Sequence, residues 1–177
     1  MNLLNLKYVN KVYYQTVLMT NYRSNIKLIV YDFDGVMTDN MVYLDQDGKE
    51  SVQINRSDGL GVSEIKKMGI RQLILSTEKN PVVSMRAKKL KIECLQGVDN
   101  KQIVLRDYCN QNKIQIKTVA YVGNDINDKE AMEMVGYSFC PSDAHESIKN
   151  ISHYTLKSKG GGGVSREILD VLNQSLI

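Results

Sequence analysis

Strand-like and helix-like segments alternate almost without a break from residue 26 onward, which predicts an α/β fold: a parallel sheet wrapped by helices. Two further observations support it. Apolar, β-branched runs of strand length recur along the chain, and three of them end in polar, chemically capable residues. Those ends are Asp32-Phe33-Asp34-Gly35, Ser76-Thr77-Glu78 and Gly123-Asn124-Asp125. In such sheets the ligand crevice lies at the carboxyl ends of the strands.

Residues 1 to 25 are apolar throughout but interrupted by Asn and Lys, and they lack a compact apolar core with a small-residue cleavage site. They are read as an N-terminal extension, a short helix or a loose segment, ahead of one domain over 26–177. The first strand, Ile26 to Tyr31, runs into Asp32 and Asp34. Two carboxylates two residues apart at a strand end can face one point, and Gly35 lets the backbone turn away. A plain strand followed by an Asp-Gly turn would share this pattern.

Met41 to Asp45 and Glu50 to Asn55 flank Asp47-Gly48, a hairpin signal. Asp58 is the candidate N-cap of a helix to Met68, closed by Gly69. Ile70 to Leu75 forms the next strand, and Asn80-Pro81 opens a helix to about Leu90, with proline in the tolerated first turn. Lys91 to Leu95 is a short strand, and 99–112 a helix. A strand over Ile116 to Val122 and a helix through Met134 follow. Tyr137 to Cys140 and Ile151 to Thr155 are strands around a short helix near Ala144 to Lys149. Lys159 to Gly163 reads as a flexible loop, and Val164 to Leu176 as the closing helix.

The chain has 177 residues, enough for a single domain with a real core. A hydrophobic share of 42% with 24% charged residues is ordinary for a soluble globular protein. A net charge of +3 without an arginine-rich block does not point to nucleic acid, although an anionic small molecule is compatible. No apolar run approaches the roughly 18–20 residues needed to span a bilayer. Cys94, Cys109 and Cys140 are scattered, with no CxxC spacing, so neither a disulfide framework nor a zinc knuckle is expected. Reduced thiols in a cytoplasmic protein account for them most simply.

The strand ends together hold the parts that phosphoryl transfer needs: a nucleophile, a metal, fixed cations and hydroxyl donors. Asp32 and Asp34 are candidates for nucleophile and acid/base, and an Asp carboxylate attacking phosphorus gives an aspartyl-phosphate. Ser76 offers a hydroxyl, Lys101 near a helix start a positive charge, and Asp125 with Asp128 further carboxylate for a hard cation such as Mg²⁺. Each has a plainer reading. Lys101 could be a solvated helix lysine, and Asp128 a carboxylate favoured by a helix dipole. His145 and His153 read as surface or loop residues without a role.

Asp32-x-Asp34-Gly-x-x-Thr38, Ser76, Lys101 and Gly123-Asn124-Asp125-x-x-Asp128 resemble, in order and spacing, the four signature motifs of the haloacid dehalogenase-like phosphatases. The resemblance implies a Rossmann-like three-layer sandwich with Asp32 as nucleophile and Asp34 as general acid/base. It also implies Ser76 and Lys101 on the phosphoryl group, and Mg²⁺ held by Asp32, the Asp34 carbonyl and Asp125. Asp128 and Asn124 would be supporting residues. Only about twenty residues separate Thr38 from the Asp58 helix, so no cap domain is inserted.

The hairpin, the Arg56-Ser57-Asp58-Gly59 turn and the glycine-rich stretch at 159–166 resemble the capless 3-deoxy-octulosonate 8-phosphate phosphatase group. That group assembles as tetramers whose neighbours close each other's sites. After the strand-end hydroxyl, Thr77-Glu78 departs from the group's usual Gly-Arg and looks like the branch acting on nine-carbon 2-keto-3-deoxynononate 9-phosphate substrates. By that likeness Thr77 and Glu78 contact the sugar, and Arg86, Lys89 and Arg56 serve its recognition. Arg86 and Lys89 would act from a neighbouring subunit. The preferred expectation is a nine-carbon sugar phosphatase, with octulosonate 8-phosphate as the alternative. A non-catalytic oligomerisation module like those attached to some acylneuraminate cytidylyltransferases is the rival from another class. Retention of Asp32, Asp34, Ser76, Lys101 and Asp125 speaks against it.

Overall fold

Four-residue apolar runs with no polar face can be buried only if both sides of their sheet are covered. The computed structural model, which describes residues 22–174, places them so. After a helical turn α1 (Tyr22–Asn25) comes β1 (Leu28–Tyr31) at the centre of the main sheet. Its side chains alternate between two apolar layers. Ile29 and Tyr31 enter one with Ile74, Val122 and Phe139, while Leu28 and Val30 enter the other with Leu73, Leu105 and Tyr121. Each such burial contributes about 1.5–3 kcal/mol for a side chain of this size.

The remaining elements are β2 (Val42–Leu44), β3 (Glu50–Val52), α2 (Ser57–Lys67), β4 (Arg71–Leu75), α3 (Val82–Leu90) and β5 (Glu93–Leu95). Then follow α4 (Lys101–Gln111), β6 (Val119–Val122), α5 (Lys129–Met134) and β7 (Tyr137–Cys140). The chain continues with α6 (Glu146–Ile151), β8 (Tyr154–Thr155) and α7 (Val164–Gln174). The main sheet runs β5-β4-β1-β6-β7-β8, parallel throughout, and β2–β3 form a separate antiparallel hairpin. Tyr31 lies opposite both Ile74 and Val122, so the residues just beyond these three strands share one level. Strand order reverses at β1, and the crevice opens there.

Several expectations shift. The segment 116–122 begins as a 3₁₀ turn, Ile116–Thr118, before β6. Ile151 closes α6, leaving only Tyr154–Thr155 as the last strand. Asp58 does not cap its own helix: Arg56 holds the N-cap position without a side-chain bond. The Asp58 carboxylate crosses instead to the start of α7, where Oδ1 accepts from Ser165 N at 2.8 Å. The expected extension falls almost entirely on residues 1–21, outside the described residues. Among the described residues, no helix is long and apolar enough to cross a membrane.

Candidate active site

β1 ends by handing its ladder to Asp32, whose N–H donates to Val122 O at 2.9 Å. The side chain is thereby fixed at the mouth of the sheet, 4% exposed. Its Oδ1 accepts from Phe33 N at 2.7 Å and meets Lys101 Nζ at 2.7 Å. Lys101 opens α4, where Asn100 caps the helix through Ile103 N. That geometry sends the ammonium inward rather than into solvent. It bridges Asp32 and Asp128, the second also at 2.7 Å.

Asp128 is wholly buried and carries four donors. Oδ1 takes Lys101 Nζ and, at 2.8 Å, the Tyr121 hydroxyl; Oδ2 takes the backbone N–H groups of Asn124 (2.9 Å) and Asp125 (3.3 Å). It closes a reciprocal capping box with Asp125 on the 3₁₀ turn Ile126–Asp128. The helix-end reading and the supporting role are therefore both features of one residue. Tyr121 is the member that the sequence did not single out. Its only signal is a lone phenol in the run Val119-Ala-Tyr-Val122, directly before Gly123.

Burial and the neighbouring Asp128 charge push the Asp32 carboxyl above the ordinary carboxylate range, against the pull of Lys101. For Lys101, burial opposes the charge, but the two carboxylates outweigh it and raise its pKa. Asp34 is half-buried; burial first, then Glu78, raise its pKa, while a 3.4 Å bond from Thr38 Oγ1 partly offsets them. A carboxyl so placed holds its proton more readily, as a general acid requires.

Asp32, Asp34, Asn40, Ser76, Thr77, Asn124, Asp125 and Asn127 line a polar cleft of about 270 Å³. Ser76 is buried at the end of β4, and its Oγ accepts from Glu78 N at 3.1 Å. One end atom of the Asn124 amide stands 2.9 Å from the Asp34 carbonyl and 3.2 Å from Asp32 Oδ2. With nitrogen at that end the amide donates to both; with oxygen there, three acceptors converge with no donor between them. An octahedral cation with ligands at about 2.0–2.1 Å holds neighbouring oxygens roughly 2.9 Å apart, so the second arrangement fits Mg²⁺. Among the described residues no three His, Cys, Asp or Glu side chains cluster closely enough to hold a metal ion. Asp125 lines the cleft but is exposed, with Oδ1 turned back to Ile126 N at 2.7 Å. The structure thus sets Asn124, rather than the Asp125 carboxylate, against Asp32 and Asp34.

The recognition residues divide. Thr77 is on the cleft wall. Glu78 folds over its own loop, Oε1 accepting from Lys79 N (2.5 Å) and Asn80 N (2.7 Å), and faces a side pocket shared with Asp34 and Glu50. Arg86 is buried away from this chain's cleft, its Nη2 donating to Asn55 O at 2.9 Å, with Asp58 as the charge nearby. Lys89 and Arg56 are exposed and also outside the cleft. His145 is exposed and caps α6 through Ser147 N; His153 accepts from Ser138 N at 3.0 Å.

The sequence pattern of the haloacid dehalogenase-like hydrolases matches residues 2–168. The chain belongs to that family. It is 36% identical over 149 residues to 3-deoxy-D-manno-octulosonate 8-phosphate phosphatase of Escherichia coli K12, covering 84% of this chain and 79% of that protein. The crystal structure of the Yersinia pestis phosphatase of the same name superposes with a TM-score of 0.84 at 30% identity, covering 89% of this chain and 86% of that one. The Moraxella catarrhalis phosphatase, solved with magnesium, phosphate and a KDO molecule, also gives 0.84, at 28% identity and coverage of 89% and 91%. Membership in the capless octulosonate phosphatase group agrees with these likenesses and with the lack of a cap between β1 and α2.

Proposed function

We propose that this haloacid dehalogenase-like enzyme is a Mg²⁺-dependent phosphatase that hydrolyses the phosphate monoester of a 3-deoxy-2-ulosonate sugar, with octulosonate 8-phosphate as substrate. The observation that supports it best is the Asp32–Lys101–Asp128 floor set beneath Asp34, Ser76 and Asn124. The relatives' names favour the eight-carbon sugar over the nine-carbon one expected from Thr77-Glu78.

The Asp32 carboxylate attacks phosphorus while Asp34 gives its proton to the departing sugar oxygen, leaving an aspartyl-phosphate and a free alcohol. Asp34, now ionised, takes a proton from water, whose oxygen attacks phosphorus; inorganic phosphate leaves and Asp32 is restored. Lys101 and Ser76 hold the phosphoryl oxygens. Asp32, the Asp34 carbonyl and Asn124 would hold Mg²⁺, which would supply positive charge against the phosphoryl oxygens. Asp128 and Tyr121 keep Lys101 aimed at this point.

Glu78 favours a second reading, the nine-carbon sugar, because its carboxylate is next to Asp34 where hydroxyls of a longer chain would lie. Recognition by Arg86 and Lys89 belongs to a homotetramer in which neighbours complete each cleft, with Arg56 as a further substrate contact; Lys89 is exposed for this, and Arg86 is buried on its own chain. Cytoplasmic residence fits three cysteines without a disulfide. The test is Mg²⁺-dependent phosphate release from both sugar phosphates in parallel, with Asp32→Asn as control. Release that persists in the control, or is absent from both sugars, overturns the reading; the larger kcat/KM names the sugar.

A further inference from the structure

The glycine-rich stretch, expected to be a flexible loop, is pinned along its length. Gly161 N donates to Val36 O at 3.0 Å, and Gly160 N to Asp143 Oδ1 at 2.9 Å. Glu167 of α7 accepts from Lys157 N (2.8 Å) and Ser158 N (2.7 Å), and Arg166 N donates to Gly163 O at 3.0 Å. At the far end Asp58 caps α7 through Ser165 N.

The contact face of this stretch is the backbone of the loop that carries Asp34. A Cβ on Gly160 would lie 2.3 Å from Gly35 O and 3.0 Å from Thr38 O. On Gly161 it would lie 2.7 Å from Asp39 N and 2.8 Å from Thr38 C, and there φ is +66°, where side chains are strained. Nothing here can retreat cheaply, since every opposing atom is main chain. Thr38, whose backbone takes this pressure, is fully buried and links to the chemistry through its hydroxyl. Its Oγ1 accepts from Gly35 N (3.2 Å) and donates to Asp34 Oδ1. None of the residues 160–163 lines the cleft.

We infer that Gly160 and Gly161, anchored by Asp143, are positioning residues that press the 35–39 loop into place so that Thr38 aims the Asp34 carboxyl at the leaving-group oxygen. The inference rests on the proposed phosphatase reading. It also explains why two adjacent glycines are needed so far along the chain from the residues they serve. Asp32, Ser76 and Lys101 are held by other elements, so their contacts with the phosphoryl group do not pass through Gly160 and Gly161.

The test separates proton donation from phosphoryl capture. A sugar phosphate needs a proton on its leaving oxygen, whereas 4-nitrophenyl phosphate has a leaving group stable as an anion. In Gly161→Ala, phosphorylation by the sugar phosphate is expected to slow roughly tenfold to a hundredfold. The pre-steady-state burst of nitrophenolate and the inhibition constant for inorganic phosphate should both change far less than the sugar-phosphate rate. Asp143→Ala, an exposed change that spares the fold, should give a weaker version of the same pattern, and Asp143→Asn, which retains the acceptor, should restore it. Equal slowing with both substrates, or wild-type rates for the sugar phosphate in both Gly161→Ala and Asp143→Ala, overturns the inference. Absence of Asp32-dependent turnover in the wild type would instead count against the phosphatase reading.

Discussion

The floor of the cleft and the β2–β3 hairpin beside it satisfy their residues in opposite ways. On the floor, Asp128 has four donors and no exposure, and Lys101 is shared between two carboxylates. On the hairpin, Met41, Val42, Tyr43 and Leu44 are all exposed, Tyr43 by 66%. Buried charge is tolerated only when fully paired, because an orphaned ion in a low dielectric costs several kcal/mol. Exposed apolar side chains carry no such internal penalty, but a contiguous patch of them signals a surface that gains by being covered. The floor pairs its charges within one chain, while the hairpin leaves its apolar side chains exposed.

The comparison can be broken first at its centre. Asp32→Asn leaves the floor packed but removes the nucleophile, so phosphate release should fall by on the order of 10³-fold or more with the melting curve little changed. Asp128→Ala strips Lys101 of one partner and leaves Tyr121 OH without its acceptor. A loss of about 3–5 kcal/mol in denaturant unfolding is expected, with a roughly hundredfold drop in kcat; an unfolding midpoint near that of the wild type would show that the floor is not the buried ion network described.

The hairpin should respond differently. Tyr43→Glu paired with Leu44→Glu is expected to lower the assembly mass in sedimentation and to reduce kcat/KM several-fold, with monomer folding intact. Unchanged mass and turnover would mean that the rim is complete without a neighbour. Tyr121→Phe removes one of four donors to Asp128, for about 1–2 kcal/mol of stability.

The smallest effect concerns Asp58, the other buried carboxylate, which has one oxygen on Ser165 N and the other unpartnered. Burial raises its pKa above the unfolded value. The folded state therefore retains the proton longer, and the stability this group contributes declines as pH rises through that window. Asn at this position does not titrate. Thermal melts of Asp58→Asn against wild type, from about pH 4 to neutrality, should move in favour of the variant as pH increases.

The sheet, its parallel order and most of the site were legible because they rest on local signals. Apolar runs of strand length mark β1, β4 and β6, and the polar residues directly after them, Asp32, Ser76 and Asn124-Asp125, must fall at one edge of a parallel sheet. The bridge from Lys101 to Asp128, the Tyr121 phenol beneath Asp128 and the crossing of Asp58 to α7 were not legible, since each depends on which element packs opposite. For Arg86 the resemblance implied a contact to a neighbour's substrate, and within its own chain the guanidinium is held by Asn55 O. By itself, then, the sequence determined which residues could do chemistry and at which end of the sheet, because hydrophobic periodicity and turn residues act over a few neighbours. Only the tertiary structure decided that Asn124 faces the Asp34 carbonyl and that Gly160 and Gly161 press on the loop of Asp34, because such contacts join segments up to 125 residues apart by close packing.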